Sequence, residues 1–310
     1  MMEDFLSIHD LTPYEFSEIM DLARDMKEQP RRFQGRLKNR ILAMIFEKPS
    51  LRTRVTFEVG MLQLGGEAIY LSPSDIQLGR RELPHDVAKN LECWVDAIMV
   101  RTFAHEIAVE LARSARIPVI NALTDLLHPC QAMADFLTLK EKKGDVRGLK
   151  LAYVGDGNNV CHSLLFAAAK SGTHAAVATP RGYEPHQDIL EKALHDGAET
   201  GFRADIHTDP AEVVRGADAV YTDVWASMGQ EGEKERRAAL FRPYQVNAAL
   251  MAKAKPGALF MHCLPAHRGE EVTDEVIDSP QSVVFDQAEN RLHVQKAIML
   301  LLLEKKAAHG

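Results

Sequence analysis

The stretch Ile41-Leu-Ala-Met-Ile-Phe-Glu-Lys-Pro-Ser-Leu-Arg-Thr-Arg54 passes from an apolar run into a cluster of basic residues. The apolar run 41–46 has the length of a buried strand, and residues 47–49 turn the chain. Ser50 is a favourable residue for the position before a helix, and the residues after it continue with helical spacing. The stretch therefore predicts a strand, a tight turn and a helix.

The charges in this stretch conflict with the predicted helix. Arg52 and Arg54 lie in its first turn, where the helix dipole favours anions over cations. A multiply charged anion at the helix end would remove the conflict. The hydroxyls of Ser50 and Thr53, free backbone N–H groups and Arg52 could together bind a phosphate. A capped helix whose arginines extend into water is the alternative.

Length and composition are those of an ordinary globular protein. The chain has 310 residues, which predicts two domains, and 46% hydrophobic and 26% charged residues. The net charge of −7 argues against a nucleic-acid binder. The apolar run 298–303 is too short to span a bilayer, and the N-terminus has no signal pattern. Four cysteines without paired spacing predict free thiols, and we expect a cytoplasmic protein without membrane or nucleic-acid partners.

Predicted strands and helices alternate along the chain, which indicates parallel sheets with ligand sites at the carboxyl ends of their strands. After the first strand, further strands are predicted at 67–71, 97–100, 118–120, 150–154, 175–179, 219–222, 258–261 and 283–285, and a last helix at about 292–304. We therefore predict an α/β protein of two doubly wound domains, each with a central parallel sheet. The first is residues 1–143, completed by a C-terminal helix at 291–310, and the second is residues 144–290.

Two polar stretches are predicted to be exposed loops. Residues 72–84 are rich in turn-forming residues, and 229–237 are almost entirely charged or polar. The second loop follows Asp223, which comes directly after a predicted strand. It is either a solvated loop or a flap that closes over a substrate, with Asp223 receiving a positive group.

Other motifs suggest a cofactor or a metal, but each departs from its pattern. Gly155-x-Gly157 follows a predicted strand, yet Val160 stands where a dinucleotide-binding loop needs its third glycine. The next strand also lacks the acid that would bind a ribose hydroxyl. The His/Cys groups at 128/130 and 262/263 lack structural-zinc spacing. We therefore expect neither a cofactor nor a metal.

Five motifs together resemble the aspartate/ornithine carbamoyltransferase family. They are Phe46-Glu-Lys-Pro-Ser-Leu-Arg-Thr-Arg54, His128-Pro-Cys-Gln131, Gly155-Asp-Gly-Asn-Asn159, Asp223-Val-Trp-Ala-Ser-Met-Gly229 and His262-Cys-Leu-Pro-Ala-His-Arg-Gly269, in the family's order. The resemblance implies an active site in the cleft between two α/β domains and a homotrimer, or a multiple of trimers. It also implies transfer of the carbamoyl group of carbamoyl phosphate to the δ-amine of L-ornithine, giving L-citrulline and phosphate in arginine metabolism.

The resemblance also implies which residues bind and react. Carbamoyl phosphate would be bound by Ser50, Leu51, Arg52, Thr53, Gln77, Arg101, His128, Gln131, Cys263, Leu264 and Arg291, with Gln77 reaching into a neighbouring subunit's site. Ornithine would be bound by Asn159, Asp223, Ser227 and Met228. Catalysis would use Arg101, His128, Asp223 and Cys263, without a metal. Negative charge that develops on the carbonyl oxygen and the leaving phosphate explains the fixed cations.

Three alternatives remain at this point. The aspartate-specific sister enzyme would need cations to bind a dicarboxylate, whereas the resemblance places an acid, Asp223, at the second substrate of this chain. A non-catalytic amino-acid-binding relative would not need the arginine, histidine and cysteine set. A carbamoyltransferase for an acylated ornithine stays open because Leu51 stands where the ornithine enzymes often have threonine.

Overall fold

The computed structural model of the chain describes residues 2–76, 78, 81–226 and 231–307. These residues form two compact units: one runs to Leu137 and resumes at Glu289, and the other is Thr138–Ala288. Each unit contains a sheet in which every described strand pair is parallel. The predicted fold class, two α/β units each with a central parallel sheet, is therefore confirmed.

The first unit is built around the stretch that opens at Ile41. Its described strands are β1 (Ile41–Phe46), β2 (Glu67–Leu71), β3 (Ala97–Arg101) and β4 (Val119–Leu123). Their order is β2-β1-β3-β4. The strands β1, β3 and β4 are almost completely buried, as expected for parallel strands covered on both faces, whereas β2 at the sheet edge is half-exposed.

Helices connect these strands. They are α1 (Pro13–Glu28), α2 (Leu51–Leu64), α3 (Pro73–Ile76), α4 (Pro84–Leu91), α5 (His105–Ser114) and α6 (Pro129–Lys143). The helix α2 begins after Ser50, whose side chain caps it, as the sequence predicts. It ends at Gly65, whose φ of 87° is in the left-handed region that glycine adopts without strain. These two residues fix the length of α2 and therefore the position of its N-terminus beside β1.

The second unit repeats the alternation with five described strands. They are β5 (Lys150–Val154), β6 (His174–Ala178), β7 (Ala204–His207), β8 (Ala219–Thr222) and β9 (Leu259–His262), in the order β7-β6-β5-β8-β9. The later helices are α7 (Asn159–Ser171), α8 (Gln187–Asp196), α9 (Pro210–Val214), α10 (Lys234–Phe241), α11 (Ala248–Met251), α12 (Asp274–Ile277) and α13 (Val284–Ala307). Within the described residues, no helix is both long enough and apolar enough to cross a membrane.

One strand prediction was wrong, and one strand was not predicted. Of the predicted strand 283–285, residues 284 and 285 begin α13, and Phe285 is exposed. A short apolar run does not distinguish a strand from a buried helix start. The strand β7 was not predicted, because Asp205 and His207 interrupt its apolar pattern. It lies at the edge of its sheet, where polar residues are tolerated.

Both predicted loops contain helices. In the stretch 72–84, the backbone N–H of Ser72 donates to Asp75 Oδ2 at 2.6 Å, which stabilises the first turn of α3. In the stretch 229–237, the described residues begin a short turn of helix at Glu231 and continue into α10. Arg237 is buried rather than solvated. The prediction of unstructured loops is therefore wrong for these described residues.

The order of strands reverses at one point in each sheet. In the first unit β1 is followed by β2 on one side and lies beside β3 on the other, and in the second unit β5 has the same relationship to β6 and β8. Ligands of parallel α/β sheets bind outside the carboxyl ends of the strands at such a point. The segments after β1 and β3, and those after β5 and β8, are therefore the places to look for a site.

Candidate active site

The turn after β1 places the N-terminus of α2 at the point where the strand order of the first sheet reverses. Ser50 Oγ accepts from the backbone N–H of Thr53 at 3.4 Å and donates to Thr53 Oγ1 at 3.2 Å. No acidic residue lies in the first turn of α2. The positive end of this helix is therefore uncompensated by its own sequence.

Two arginines from distant parts of the chain converge on the buried hydroxyl of Thr53. Arg101, the last residue of β3, donates from Nη1 to Thr53 Oγ1 at 3.4 Å. Arg291 on α13 donates from Nη2 to the same oxygen at 3.0 Å. All three side chains are buried. Because one hydroxyl orients both guanidinium groups, Thr53 organises the cations at this helix end.

His128 lies between β4 and α6, within the electrostatic reach of this cluster. Its pKa is held well below the ordinary value, first by burial and then by the positive charges of Arg291, Arg101 and Arg52. The imidazole is therefore neutral near pH 7 and can donate or accept a hydrogen bond. Cations that oppose the protonation of a nearby histidine would favour the binding of an anion.

The remaining predicted residues of the first unit occupy different environments. Gln131, in the first turn of α6, is buried and donates from Nε2 to Asp135 Oδ1 at 2.8 Å. Arg52 is half-buried, whereas the side chain of Leu51 is 77% exposed. Gln77 lies outside the described residues. The structure thus brings Ser50, Thr53, Arg101 and Arg291 into direct contact and leaves Leu51 at the surface.

In the second unit, Asp223 lies directly after β8 and is buried. Its Oδ1 accepts from the backbone N–H of Val224 at 2.8 Å and from Cys263 Sγ at 3.0 Å. Its Oδ2 accepts from Asn158 Nδ2 at 2.7 Å. The predicted residues Asp223 and Cys263 are therefore neighbours, and their carboxylate and thiol form a compact polar site after β8 and β9.

The sequence predicted Asn159 at this site, but the described contact with Asp223 comes from Asn158. Asn158 caps α7 by accepting from the N–H groups of Val160 and Cys161 at 3.0 and 3.2 Å. Asn159 is the first residue of α7 and is half-buried. Local sequence indicates a cap at either position, and only the pairing of β5 with β8 brings one of them to Asp223.

A second missed feature is the buried ion pair between Arg237 and Asp156. Arg237 Nη2 donates to Asp156 Oδ2, and its Nε donates to the carbonyl oxygen of Trp225 at 2.5 Å. The guanidinium carbon lies 4.7 Å from the ring centroid of Tyr183. Ser227 and Met228, which were predicted to bind ornithine, lie outside the described residues between these anchor points.

The turn Gly155-Asp156-Gly157 packs closely against the segment 183–185. A Cβ atom at Gly157 would lie 2.3 Å from the backbone nitrogen of Pro185, so no larger residue fits. The N–H of Gly157 donates to the carbonyl oxygen of Tyr183 at 2.8 Å. The approach of residues 183–185 therefore explains a glycine that the sequence alone could assign to a cofactor loop.

His262 fixes the backbone that follows Cys263. Its Nδ1 accepts from the N–H of Leu264 at 2.8 Å, so its Nε2 carries the proton that it shares with Glu271 Oε1 at 3.2 Å. Asp223, His262 and Cys263 lie within the spacing of metal ligands. Because both ring nitrogens of His262 already have partners, metal binding there would require it to give one up.

Two complementary sites result, one in each unit. The first presents a helix N-terminus, buried arginines and a neutral histidine, which suit a phosphate and a polarised carbonyl. The second presents a buried carboxylate, which suits an ammonium group.

Comparisons with known proteins agree with this chemistry. Residues 3–141 match the family "Aspartate/ornithine carbamoyltransferase, carbamoyl-P binding domain", and residues 147–302 match its "Asp/Orn binding domain". The chain is 54% identical over 305 residues to an ornithine carbamoyltransferase of Pyrococcus horikoshii, covering 97% of this chain and 95% of that protein. It is 53% identical over 305 residues to "Ornithine carbamoyltransferase, anabolic" of Pyrococcus furiosus, covering 97% and 96%. A solved structure of ornithine carbamoyltransferase from P. furiosus superposes with a TM-score of 0.95 at 52% identity, covering 97% of each chain.

Proposed function

Because this chain belongs to the aspartate/ornithine carbamoyltransferase family, we propose that it transfers the carbamoyl group of carbamoyl phosphate to the δ-amine of L-ornithine. The products are L-citrulline and phosphate. The observation that carries the proposal is that one unit contains an anion site around Thr53 and the other contains a buried carboxylate, Asp223, suited to an ammonium group. The anabolic relative of P. furiosus supports the citrulline-forming direction, as a step of arginine synthesis.

The first site binds and polarises carbamoyl phosphate. Ser50, Thr53, Arg52 and the N–H groups at the start of α2 hold its phosphate, with charge added by Arg291. Arg101 and neutral His128 direct hydrogen bonds at the carbonyl oxygen, assisted by Gln131. Negative charge grows on that oxygen and on the leaving phosphate. Hydrogen-bond donors that are already in position there should therefore make the largest contribution to the rate enhancement.

The second site binds the amino-acid end of ornithine and presents its side chain. Asp223 receives the α-ammonium group, with Asn159, Ser227 and Met228 around it, and Cys263 and Leu264 lie beside the reacting nitrogen. The δ-amine must lose its proton before it attacks the carbonyl carbon. The arginines of the carbamoyl phosphate site favour this neutral form when the substrates meet. No covalent intermediate with the enzyme is needed, because proximity of two bound substrates is sufficient.

Asp223 also supports ornithine over aspartate as the second substrate. A buried carboxylate repels a dicarboxylate and attracts an ammonium group. The decisive assay offers carbamoyl phosphate with ornithine, aspartate or N-acetylornithine in parallel and measures the ureido product. We expect turnover with ornithine. Turnover with N-acetylornithine alone would favour the acylated-ornithine alternative, and turnover with none would refute the proposal.

The active unit is proposed to be a homotrimer or a multiple of trimers. Exposed apolar side chains on α2 and on the edge strand β2, namely Leu51, Val55, Leu62 and Ile69, support self-association of the first unit. In the proposed trimer, Gln77 completes a neighbouring subunit's site. None of the four cysteines, all of them described, is in a disulfide, which supports a reducing compartment, and we propose the cytoplasm.

A mixing experiment tests the shared site. Arg52→Ala and Gln77→Ala should each nearly inactivate the enzyme. When the two variants are unfolded and refolded together in equal amounts, about a quarter of all sites carry neither change. Activity should recover to about a quarter of wild type. No recovery, with mixed trimers confirmed by mass spectrometry, would show that Gln77 does not act across subunits.

A further inference from the structure

We propose that Asn158 is a positioning residue for the ammonium subsite, which it serves by holding Asp223 Oδ2 in the orientation that receives ornithine. This inference rests on the proposed function and adds a residue to it. Asn158 acts through Asp223 and need not touch the substrate itself.

The orientation of the Asn158 amide is fixed by its partners. Its Oδ1 accepts from the N–H groups of Val160 and Cys161 and from the buried hydroxyl of Tyr153, the last at 3.2 Å. Because all three groups are donors to one oxygen, the Nδ2 group must be the end that faces Asp223. The distance of 2.7 Å from Nδ2 to Oδ2 is that of a charge-assisted hydrogen bond.

The described donors to Asp223 are distributed unequally between its two oxygens. Oδ1 accepts from the N–H of Val224 and from Cys263 Sγ, whereas Oδ2 accepts from Asn158. Asp223 Oδ1 therefore has two described donors, one for each of its lone pairs, whereas Oδ2 has one. Oδ2 keeps one lone pair, whose direction is set by the Asn158 hydrogen bond. That lone pair is the place for an ammonium group.

The same residue also caps α7, and the test must separate the two roles. Serine caps a helix nearly as well as asparagine but is too short to reach Asp223. Asn158→Ser therefore removes the amide and keeps the cap. Asn247 provides the matched control, because it caps α11 by accepting from the N–H of Leu250 at 3.0 Å and has no described contact with Asp223. Thermal unfolding of both serine variants shows whether the caps are kept.

Asn158→Ser should raise the KM for ornithine about tenfold, as loss of one charge-assisted hydrogen bond implies, with the KM for carbamoyl phosphate unchanged. Asn247→Ser should leave both values within twofold of wild type. An ornithine KM in Asn158→Ser that matches the Asn247→Ser control would overturn the proposal. Wild-type protein that forms no citrulline would instead refute the proposed function, and ornithine binding by calorimetry would still test Asn158.

A second variant distinguishes positioning from simple electrostatics. Asn158→Asp keeps the length and the cap but replaces the donor by a carboxylate. Added negative charge alone would tighten the binding of a cationic substrate, whereas loss of the donor misdirects Asp223 and weakens it. We expect the ornithine KM to rise at least as far as in Asn158→Ser. A fall in this KM would contradict the positioning role.

Discussion

Arg237 donates from Nη2 to the carboxylate of Asp156, and both side chains are buried. Asp156 belongs to the turn after β5, and Arg237 lies on α10. Arg237 also binds the carbonyl oxygen of Trp225, so it links α10 to the segment that leaves β8. Arg237 therefore links two positions, its own and Trp225, that lie on either side of Ser227 and Met228 in the sequence.

The ion pair should contribute to stability in a way that depends on both partners. Removing one partner of a buried pair typically costs about 3–5 kcal/mol, because the other charge stays buried without compensation. Arg237→Met should therefore lower the free energy of unfolding in urea more than Arg237→Met combined with Asp156→Asn. The control is Arg268→Met, which breaks the exposed pairs with Asp274 and Asp278 and should lower the free energy of unfolding far less than Arg237→Met, because solvent screens exposed pairs. If the loss of unfolding free energy in the double variant equals the sum of the losses in the two single variants, the two residues are not coupled.

The same carboxylate predicts a pH dependence. Burial raises the pKa of Asp156 from 3.8 to about 6, with Arg237 opposing this rise. Because the folded pKa is the higher one, the stabilisation is complete below about pH 4 and is lost as the pH rises through about 6. Relative to Asp156→Asn, wild type should lose unfolding free energy as the pH rises from 4 to 7. Parallel pH curves for the two proteins would contradict this prediction.

His128 should act as a neutral donor. Its pKa is well below the ordinary value because of burial and the charges of Arg291, Arg101 and Arg52. His128→Ala should lower kcat by about 10²–10³, and His128→Asn, which keeps a donor, should recover at least about tenfold of this loss. Wild type and His128→Asn should show the same pH profile of kcat/KM between pH 6 and 8. An extra titration of wild type near the ordinary histidine pKa would mean that the charged form is used.

The hydroxyl of Thr53 should matter more than its methyl group. Thr53→Val removes the oxygen that accepts from Arg101 and Arg291, and each buried donor that loses a partner costs about 1–3 kcal/mol. The KM for carbamoyl phosphate should rise at least about tenfold, and that for ornithine should barely change. Thr53→Ser should behave like wild type. Thr56→Val is the control on the same helix, because the hydrogen bonds described for the Thr56 hydroxyl are donated to backbone carbonyls. Equal losses in Thr53→Val and Thr56→Val would contradict the role of Thr53.

Local sequence was sufficient at the start of α2 but not at the start of α7, where it indicated a cap at either Asn158 or Asn159. Ser50 was predicted to cap α2, and the excess of cations beside it pointed to an anion site. Rules about helix ends could not predict which residues from distant parts of the sequence lie in contact. The contact of Arg291 with Thr53 joins residues 238 positions apart, and the contact of Asn158 with Asp223 depends on the order of β5 and β8. Arg237 was assigned to a polar loop because its neighbours in sequence are charged, whereas its neighbours in space are aromatic.

The thiol of Cys263 gives the chain an internal chemical reporter. Cys130 and Cys161 are buried, and burial raises the pKa of both, to about 12 for Cys130. Cys93 is exposed and would also react, so it is replaced by serine. Cys263 is half-buried and donates a hydrogen bond to Asp223. In a Cys93→Ser background, the rate at which an alkylating reagent modifies the protein would therefore measure occupancy of the ammonium subsite without any turnover.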